Sequence, residues 1–140
     1  MISLADYFGA KINNPEATLE MKQNAMELLR KVNGLLKRAE QEGAYSAQID
    51  PDTGTLISGS RGGSGDGGFR LSTSTTGAKK SAHKKAHAVD VYDPANILDG
   101  WITNAVLEEF GLYREAPTKT PGWAHLQDTP PGSGNRTYML

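Results

Sequence analysis

Residues 81–90, with the sequence SAHKKAHAVD, combine two residue types that bind metal ions. His83 offers a ring nitrogen and Asp90 a carboxylate oxygen, and both atoms are common zinc ligands. The apolar residues around Asp90 predict a loop that enters a β-strand at this point. Because side chains alternate along a strand, Asp90 is expected to face a cleft while Val89 faces the core.

His125, in the segment GWAHLQ, is the expected third ligand. The pattern of this segment also predicts a strand, with Trp123 and His125 on one face. Two histidines, one carboxylate and an open fourth position for water are typical of a catalytic zinc site rather than a structural one. His87 is interpreted as a neighbour of the site and not as a ligand, because the β-like residues that follow it argue against a helix there.

Length, charge and composition restrict the class of protein. The chain has 140 residues, no cysteine and a formal net charge of −1. These values predict a single domain over residues 1–140, exclude thiolate metal sites and disulfides, and offer no electrostatic argument for nucleic acid as a partner. The N-terminus lacks the pattern of a secretory signal, and no segment has the length of a membrane span, so we expect synthesis in the cytoplasm.

Apolar periodicity predicts the elements that must position the three ligands. Helical spacing covers residues 14–42, with Thr18 as a possible N-cap, and a second helical pattern covers residues 97–110. Asp93 and Pro94 suit the start of that second helix. Short strands are expected at 47–49, 56–58, 88–91 and 123–126. The predicted fold class is therefore α+β, with a small antiparallel sheet that carries the zinc site and packs against two main helices.

A glycine-rich stretch separates these strands from the His83 segment. Six of the ten residues from 59 to 68 are glycine, but the Gly-Lys-Ser/Thr ending of a phosphate loop is missing. Either a surface loop or an ordered binding loop is compatible with this composition. Arg61 lies at the start of this stretch, close to the strand expected at 56–58. A guanidinium there could hold a substrate carboxylate through paired hydrogen bonds.

These motifs resemble the zinc D-alanyl-D-alanine carboxypeptidase family, which is related to the lysostaphin and hedgehog zinc domains. SAHKKAHAVD resembles the family signature S-x-H-x-x-G-x-A-x-D, with Ala86 in place of its glycine. Trp123 and His125 resemble the downstream W-x-H, and SGSR, residues 58–61, resembles S-G-Y-R. The resemblance extends to small phage-encoded members over nearly the whole chain.

The resemblance implies a zinc peptidase that acts on peptidoglycan stem peptides or crosslinks. By this resemblance, the family's Zn²⁺ ligands correspond to His83, Asp90 and His125. The family's arginine that binds the substrate carboxylate corresponds to Arg61. A phage endolysin or wall-degrading factor would be made in the host cytoplasm and act at the cell wall or within a phage particle, with other particle proteins as further partners.

The general base departs from the family pattern. The family places a glutamate three positions before the last histidine, where this chain has Gly122. Glu115 is the nearest upstream carboxylate, and the intervening proline and glycine residues could return it to the metal. A surface role for Glu115 remains equally open, and Asp128 is a second candidate for the base.

Three functions are therefore compatible with the sequence. The first is a peptidoglycan peptidase. The second is a non-enzymatic phage virion or tail component that keeps the zinc peptidase fold, which the departures at Ser60, Ala86 and Gly122 favour. The third is a metal-free domain in which the two histidines and the aspartate are coincidental.

Overall fold

A computed structural model describes residues 1–59, 66–77 and 80–139 of the chain. Its helices are α1 (Leu4–Phe8), α2 (Leu19–Gln41), α3 (Ile97–Trp101) and α4 (Asn104–Phe110). Its strands are β1 (Ala88–Tyr92), β2 (Tyr113–Glu115), β3 (Trp123–Gln127) and β4 (Thr137–Tyr138). Short 3₁₀ turns at Gly9–Lys11, Ala82–Lys85 and Pro117–Lys119 connect them.

The four strands form one mixed sheet in the order β1-β3-β2-β4. β3 pairs antiparallel with both β1 and β2, whereas β2 and β4 are parallel. The α+β class is confirmed. The strands that carry Asp90 and His125 pair antiparallel, as expected. The prediction did not include β4, which adds one parallel pairing because the chain that leaves β3 returns to the outer edge of β2 in the same direction as β2.

The long helix α2 begins later than the predicted start at residue 14. Thr18 is its N-cap, and the Thr18 hydroxyl accepts a hydrogen bond from the backbone N–H of Met21 at 3.2 Å. The apolar face of α2 is buried against α1, α4 and the rest of the core, and its buried residues are Ala25, Leu28, Leu29, Val32, Leu35, Leu36 and Ala39. No helix among the described residues is long and apolar enough to cross a membrane.

The strands expected at 47–49 and 56–58 are reduced to two isolated bridges, Asp50 with Thr55 and Ile57 with Val91. The Asp50 carboxylate accepts hydrogen bonds from the backbone N–H groups of Asp52, at 2.8 Å, and Gly59, at 2.7 Å. These side-chain bonds stabilise the turn at 51–54, between the two expected strands.

The second helical pattern is divided into α3 and α4. Ile102 is extended, and Thr103 caps α4 by accepting a hydrogen bond from the Val106 N–H at 3.2 Å. Asp93 lies outside α3, but its carboxylate accepts hydrogen bonds from the N–H groups of Leu98 and Asp99. The break turns α4 toward α2 and leaves α3 against β3, so both short helices cover the core.

Candidate metal centre

The structure brings His83, Asp90 and His125 together, with one ligand atom of each within 4.8 Å of the others. Asp90 in β1 and His125 in β3 are directly paired residues of the antiparallel ladder, so both side chains leave the same face of the sheet. His83 reaches them from the 3₁₀ turn that precedes β1. All three side chains are buried.

The ring of His83 is oriented by a backbone carbonyl. Its Nδ1 lies 2.8 Å from the oxygen of Gly68 and must donate a proton to it, which leaves the lone pair on Nε2. Gly68 is required at this place, because a Cβ there would lie 2.1 Å from the carbonyl oxygen of Tyr7. The end of the glycine-rich stretch is thus an ordered part of the site.

His83 Nε2 is a buried nitrogen with no hydrogen-bond partner among the described residues. It lies 3.3 Å from Asp90 Oδ1, outside hydrogen-bonding geometry. Burial lowers the pKa of His83, which favours the neutral ring that a metal requires. A buried, unpaired lone pair beside a carboxylate is unfavourable unless a further atom interacts with it, and a metal ion would satisfy it.

Asp90 lies at the centre of the cluster. Its Oδ1 is 2.9 Å from His125 Nδ1, and its Oδ2 is 3.5 Å from Nη2 of Arg70. Burial by itself would raise the pKa of Asp90, but the adjacent rings of His83 and His125 outweigh it and hold this pKa well below its usual range. The group is therefore a carboxylate at neutral pH.

His125 contacts a hydrogen-bond partner through each ring nitrogen, Asp90 through Nδ1 and Gln127 through Nε2. Burial by itself would lower the pKa of His125, but the hydrogen bond to Asp90 outweighs it and raises this pKa. A metal must displace the proton between His125 and Asp90, so metal affinity should fall in acid.

The donor set fits a borderline divalent ion. Two imidazole nitrogens and one carboxylate oxygen, without thiolates, suit zinc, and imidazole also serves copper, nickel and iron. The group can hold a metal ion, and the unpaired Nε2 of His83 is the atom that argues for one.

Arg70 is a site residue that the sequence interpretation missed. Its buried guanidinium donates hydrogen bonds to the carbonyl oxygens of Asp66, at 2.7 Å, and Thr76, at 3.2 Å, and it also faces Asp90. The apolar neighbours of Arg70 in the segment GGFRL were the available signal, since they place this arginine inside the fold. Arg61, chosen for the carboxylate-binding role, lies outside the described residues.

Glu115 lies in β2 and lines the same cleft as the three candidate ligands. Burial raises the pKa of Glu115, and the nearby charge of His125 opposes this rise in part. Such an environment suits a general base that must also return a proton.

Asp128 occupies a different position. Its Oδ1 lies 2.9 Å from Nδ1 of His87, and its Oδ2 lies 3.8 Å from Nζ of Lys31 on α2. Asp128 is not among the described residues that line the cleft. His87 is held by Asp128 and lies outside the group of three candidate ligands.

The cleft has a volume of about 700 Å³ and is large enough for a short peptide. Its rim carries the exposed basic side chains of Lys80, Lys85 and Lys119, together with Trp123. Threonine, proline and glycine residues that follow β3 complete one wall, namely Thr129, Pro130, Pro131 and Gly132.

Comparisons of the chain with protein-family models, curated protein sequences and solved structures returned no significant match. Membership of the zinc carboxypeptidase family therefore stays a prediction that depends on the motif residues.

Proposed function

We propose that this protein is a zinc-dependent peptidase whose metal is held by His83, Asp90 and His125. The unpaired, buried Nε2 of His83 is the observation that carries the proposal, since a purely structural histidine would have both nitrogens satisfied. The large open cleft beside the three residues supports a catalytic rather than a structural ion, because a substrate can reach them.

The metal, Glu115 and Arg70 would have different roles in the proposed reaction. Zinc, when bound, would act as a Lewis acid and make a water molecule acidic enough to attack near neutral pH. Glu115 accepts the proton of the attacking water and then donates it to the leaving amine. Arg70 keeps the Asp90 carboxylate in place and adds positive charge to the cleft, where it favours the negative charge that develops on the scissile carbonyl.

The proposed substrate is a peptide of bacterial peptidoglycan, cut in its stem or crosslink. Lys80, Lys85 and Lys119 surround the cleft and suit a peptide rich in carboxylates. Arg61 stays the proposed partner of a terminal substrate carboxylate. The motif resemblance supports the same substrate class and a phage enzyme acting at the wall or within a particle.

A second candidate function is a phage virion or tail component that keeps the zinc peptidase fold without its activity. The observation that favours it is Gly122, which has a positive φ of 96° and no side chain at the position of the family's glutamate. This alternative requires that Glu115 does not replace the missing base.

Mass spectrometry of peptidoglycan fragments after incubation with zinc-loaded protein tests the proposal. A peptidase should release new peptide termini, and the mass difference identifies the bond that was cut. Asp90→Asn is the matched control, since it keeps the side-chain size and removes a ligand charge. Unchanged fragments with a zinc-loaded, folded protein would favour the virion component.

A further inference from the structure

We infer that Gln127, fixed by Tyr138 and Thr129, determines which nitrogen of His125 binds the metal. The inference rests on the proposed metal site and adds two positioning residues to it. Gln127 lies two positions after His125 on the same face of β3, so strand alternation brings both side chains to the cleft side.

The orientation of the Gln127 amide follows from its neighbours. Its Nε2 donates a hydrogen bond of 2.7 Å to the carbonyl oxygen of Thr129, which can only accept. Its Oε1 then points the other way, where it accepts a hydrogen bond of 2.6 Å from the hydroxyl of Tyr138. The two contacts hold the amide in one of its two possible orientations.

This orientation dictates the protonation of His125. Gln127 Oε1 lies 2.8 Å from Nε2 of His125, and an amide oxygen carries no hydrogen. Nε2 must therefore donate, so Nδ1 is the ring nitrogen that can offer a lone pair once a metal ion displaces the proton it shares with Asp90. Nδ1 is also the atom that faces Asp90, at 2.9 Å.

The two histidines thus present different nitrogens, and a fixed acceptor sets each one. His83 donates from Nδ1 to the Gly68 carbonyl, whereas His125 donates from Nε2 to the Gln127 amide. His125, Gln127 and Tyr138 are each at most 8% exposed, so solvent water is poorly placed to replace the amide oxygen. Partners of this kind fix the ring orientation of a ligand and tune its affinity for the metal.

Tyr138 connects the C-terminal strand to the metal centre. It lies in β4, and its ring packs edge-on against the His125 ring, with 6.3 Å between centroids and an interplanar angle of 89°. The parallel pairing of β4 with β2 places the Tyr138 hydroxyl at Gln127. The C-terminal strand therefore contributes to metal binding although it holds none of the three candidate ligands.

Zinc affinity of full-length variants, measured by competition with a chromophoric chelator, tests the inference. Gln127→Leu removes the acceptor at similar size and should weaken zinc binding by about 10- to 100-fold. Gln127→Glu restores an acceptor oxygen and should recover most of this loss. Tyr138→Phe keeps the ring, removes one hydrogen bond to the amide and should weaken binding by a smaller factor, about 3- to 10-fold.

Nitrogen-15 NMR of the histidine rings supplies a readout that a general loss of stability would not move. In the zinc-loaded wild type, His125 should carry its proton on Nε2, and Gln127→Leu should make the Nε2 proton exchange faster with water or transfer the ring proton to Nδ1. A His125 ring protonated on Nδ1 in the zinc-loaded wild type would overturn the inference.

The outcomes separate this inference from the proposed function. A folded wild type that binds no zinc would end both. A wild type that binds zinc, together with a Gln127→Leu variant of equal affinity, would end only the role of Gln127. Thermal unfolding in excess chelator checks that each variant folds without metal, and if Gln127→Leu does not fold, Tyr138→Phe and Gln127→Glu decide the question.

Discussion

Asp90 and His125 are opposed residues of the antiparallel strands β1 and β3, and Asp90 Oδ1 lies 2.9 Å from His125 Nδ1. The backbone ladder therefore fixes the separation of two candidate ligands before any ion is present. His83 joins them from a tight turn, and the Gly68 carbonyl orients its ring. Such preorganisation favours tight and specific metal binding, because little of the site has to be ordered when the ion binds.

Replacing a ligand should remove the metal from the protein. Asp90→Asn, His83→Ala and His125→Ala are each expected to lower the zinc content from about one ion per chain to near zero, because three protein ligands are the minimum of a catalytic site. Elemental analysis after gel filtration measures this content. His87→Ala is the control and should retain zinc, since His87 pairs with Asp128 and is not part of the group that could hold the ion. Full zinc occupancy in Asp90→Asn would show that the ligand set is wrong.

The general base can be tested without disturbing the metal. Glu115→Gln should keep zinc and reduce turnover by about 10²- to 10⁴-fold, the range typical of general acid–base catalysis. Asp128→Asn is the comparison and should retain turnover, because Asp128 faces His87 and Lys31. Cleavage rates on peptidoglycan fragments give the answer, and an unaffected Glu115→Gln variant would move the base to another residue.

Ala86 occupies a backbone conformation that favours glycine, with φ 59° and ψ 35°. Ala86→Gly relieves about 1–2 kcal/mol of backbone strain. It also adds about 0.5–1 kcal/mol of chain entropy loss on folding, and it removes a buried methyl group worth about 0.8 kcal/mol. These terms nearly cancel, so the free energy of unfolding should stay within about 1 kcal/mol of the wild type.

Ala86→Val is the contrasting variant at the same position. A β-branched residue is strongly disfavoured at positive φ, and the site is fully buried. Overpacking and strain together should lower the free energy of unfolding by more than about 2 kcal/mol. Urea unfolding in the presence of chelator measures both variants, and a valine variant as stable as the wild type would contradict the left-handed conformation.

Asp99 should make stability depend on pH between about 4 and 6. Burial raises the pKa of Asp99 to about 6, and the hydrogen bonds from Thr120 and Arg114 oppose this rise only in part. The folded state therefore binds a proton more tightly than the unfolded chain, whose aspartates titrate near about 3.9. Its contribution to stability is present below about pH 4 and is lost as the pH rises through about 6.

Asp99→Asn isolates this effect from other titrating groups. The free energy of unfolding of the variant, relative to the wild type, should increase as the pH is raised from 4 to 7, because the asparagine cannot ionise. Chemical unfolding at several pH values in that range measures the difference. If the difference in free energy of unfolding between the variant and the wild type stays constant with pH, the pKa of Asp99 is not raised in the folded state.

Local patterns in the sequence were sufficient to single out the three candidate ligands and the main elements. His83, Asp90 and His125 were recognisable by residue type and by the strands around them, and the apolar stripe of α2 by its helical spacing. These features depend on neighbours a few positions apart, and such relations can be read directly from the order of residues. The stop of α2 near Gly43 has the same local origin.

Tertiary structure decided the features that depend on distant partners. The expected strand at 56–58 meets β1 through the bridge between Ile57 and Val91, and β4 joins the sheet parallel to β2. Neither pairing follows from periodicity, because each depends on which backbone acceptor a backbone donor meets in the folded chain.

The residues that orient the candidate ligands were also decided by tertiary structure. Arg70, the Gly68 carbonyl and Tyr138 lie at separate places in the chain, and only folding brings them to Asp90, His83 and Gln127. Residue order therefore determined which atoms could bind a metal. The long-range packing determined which lone pair each histidine presents, because a ring nitrogen acquires its role only from the atom that faces it.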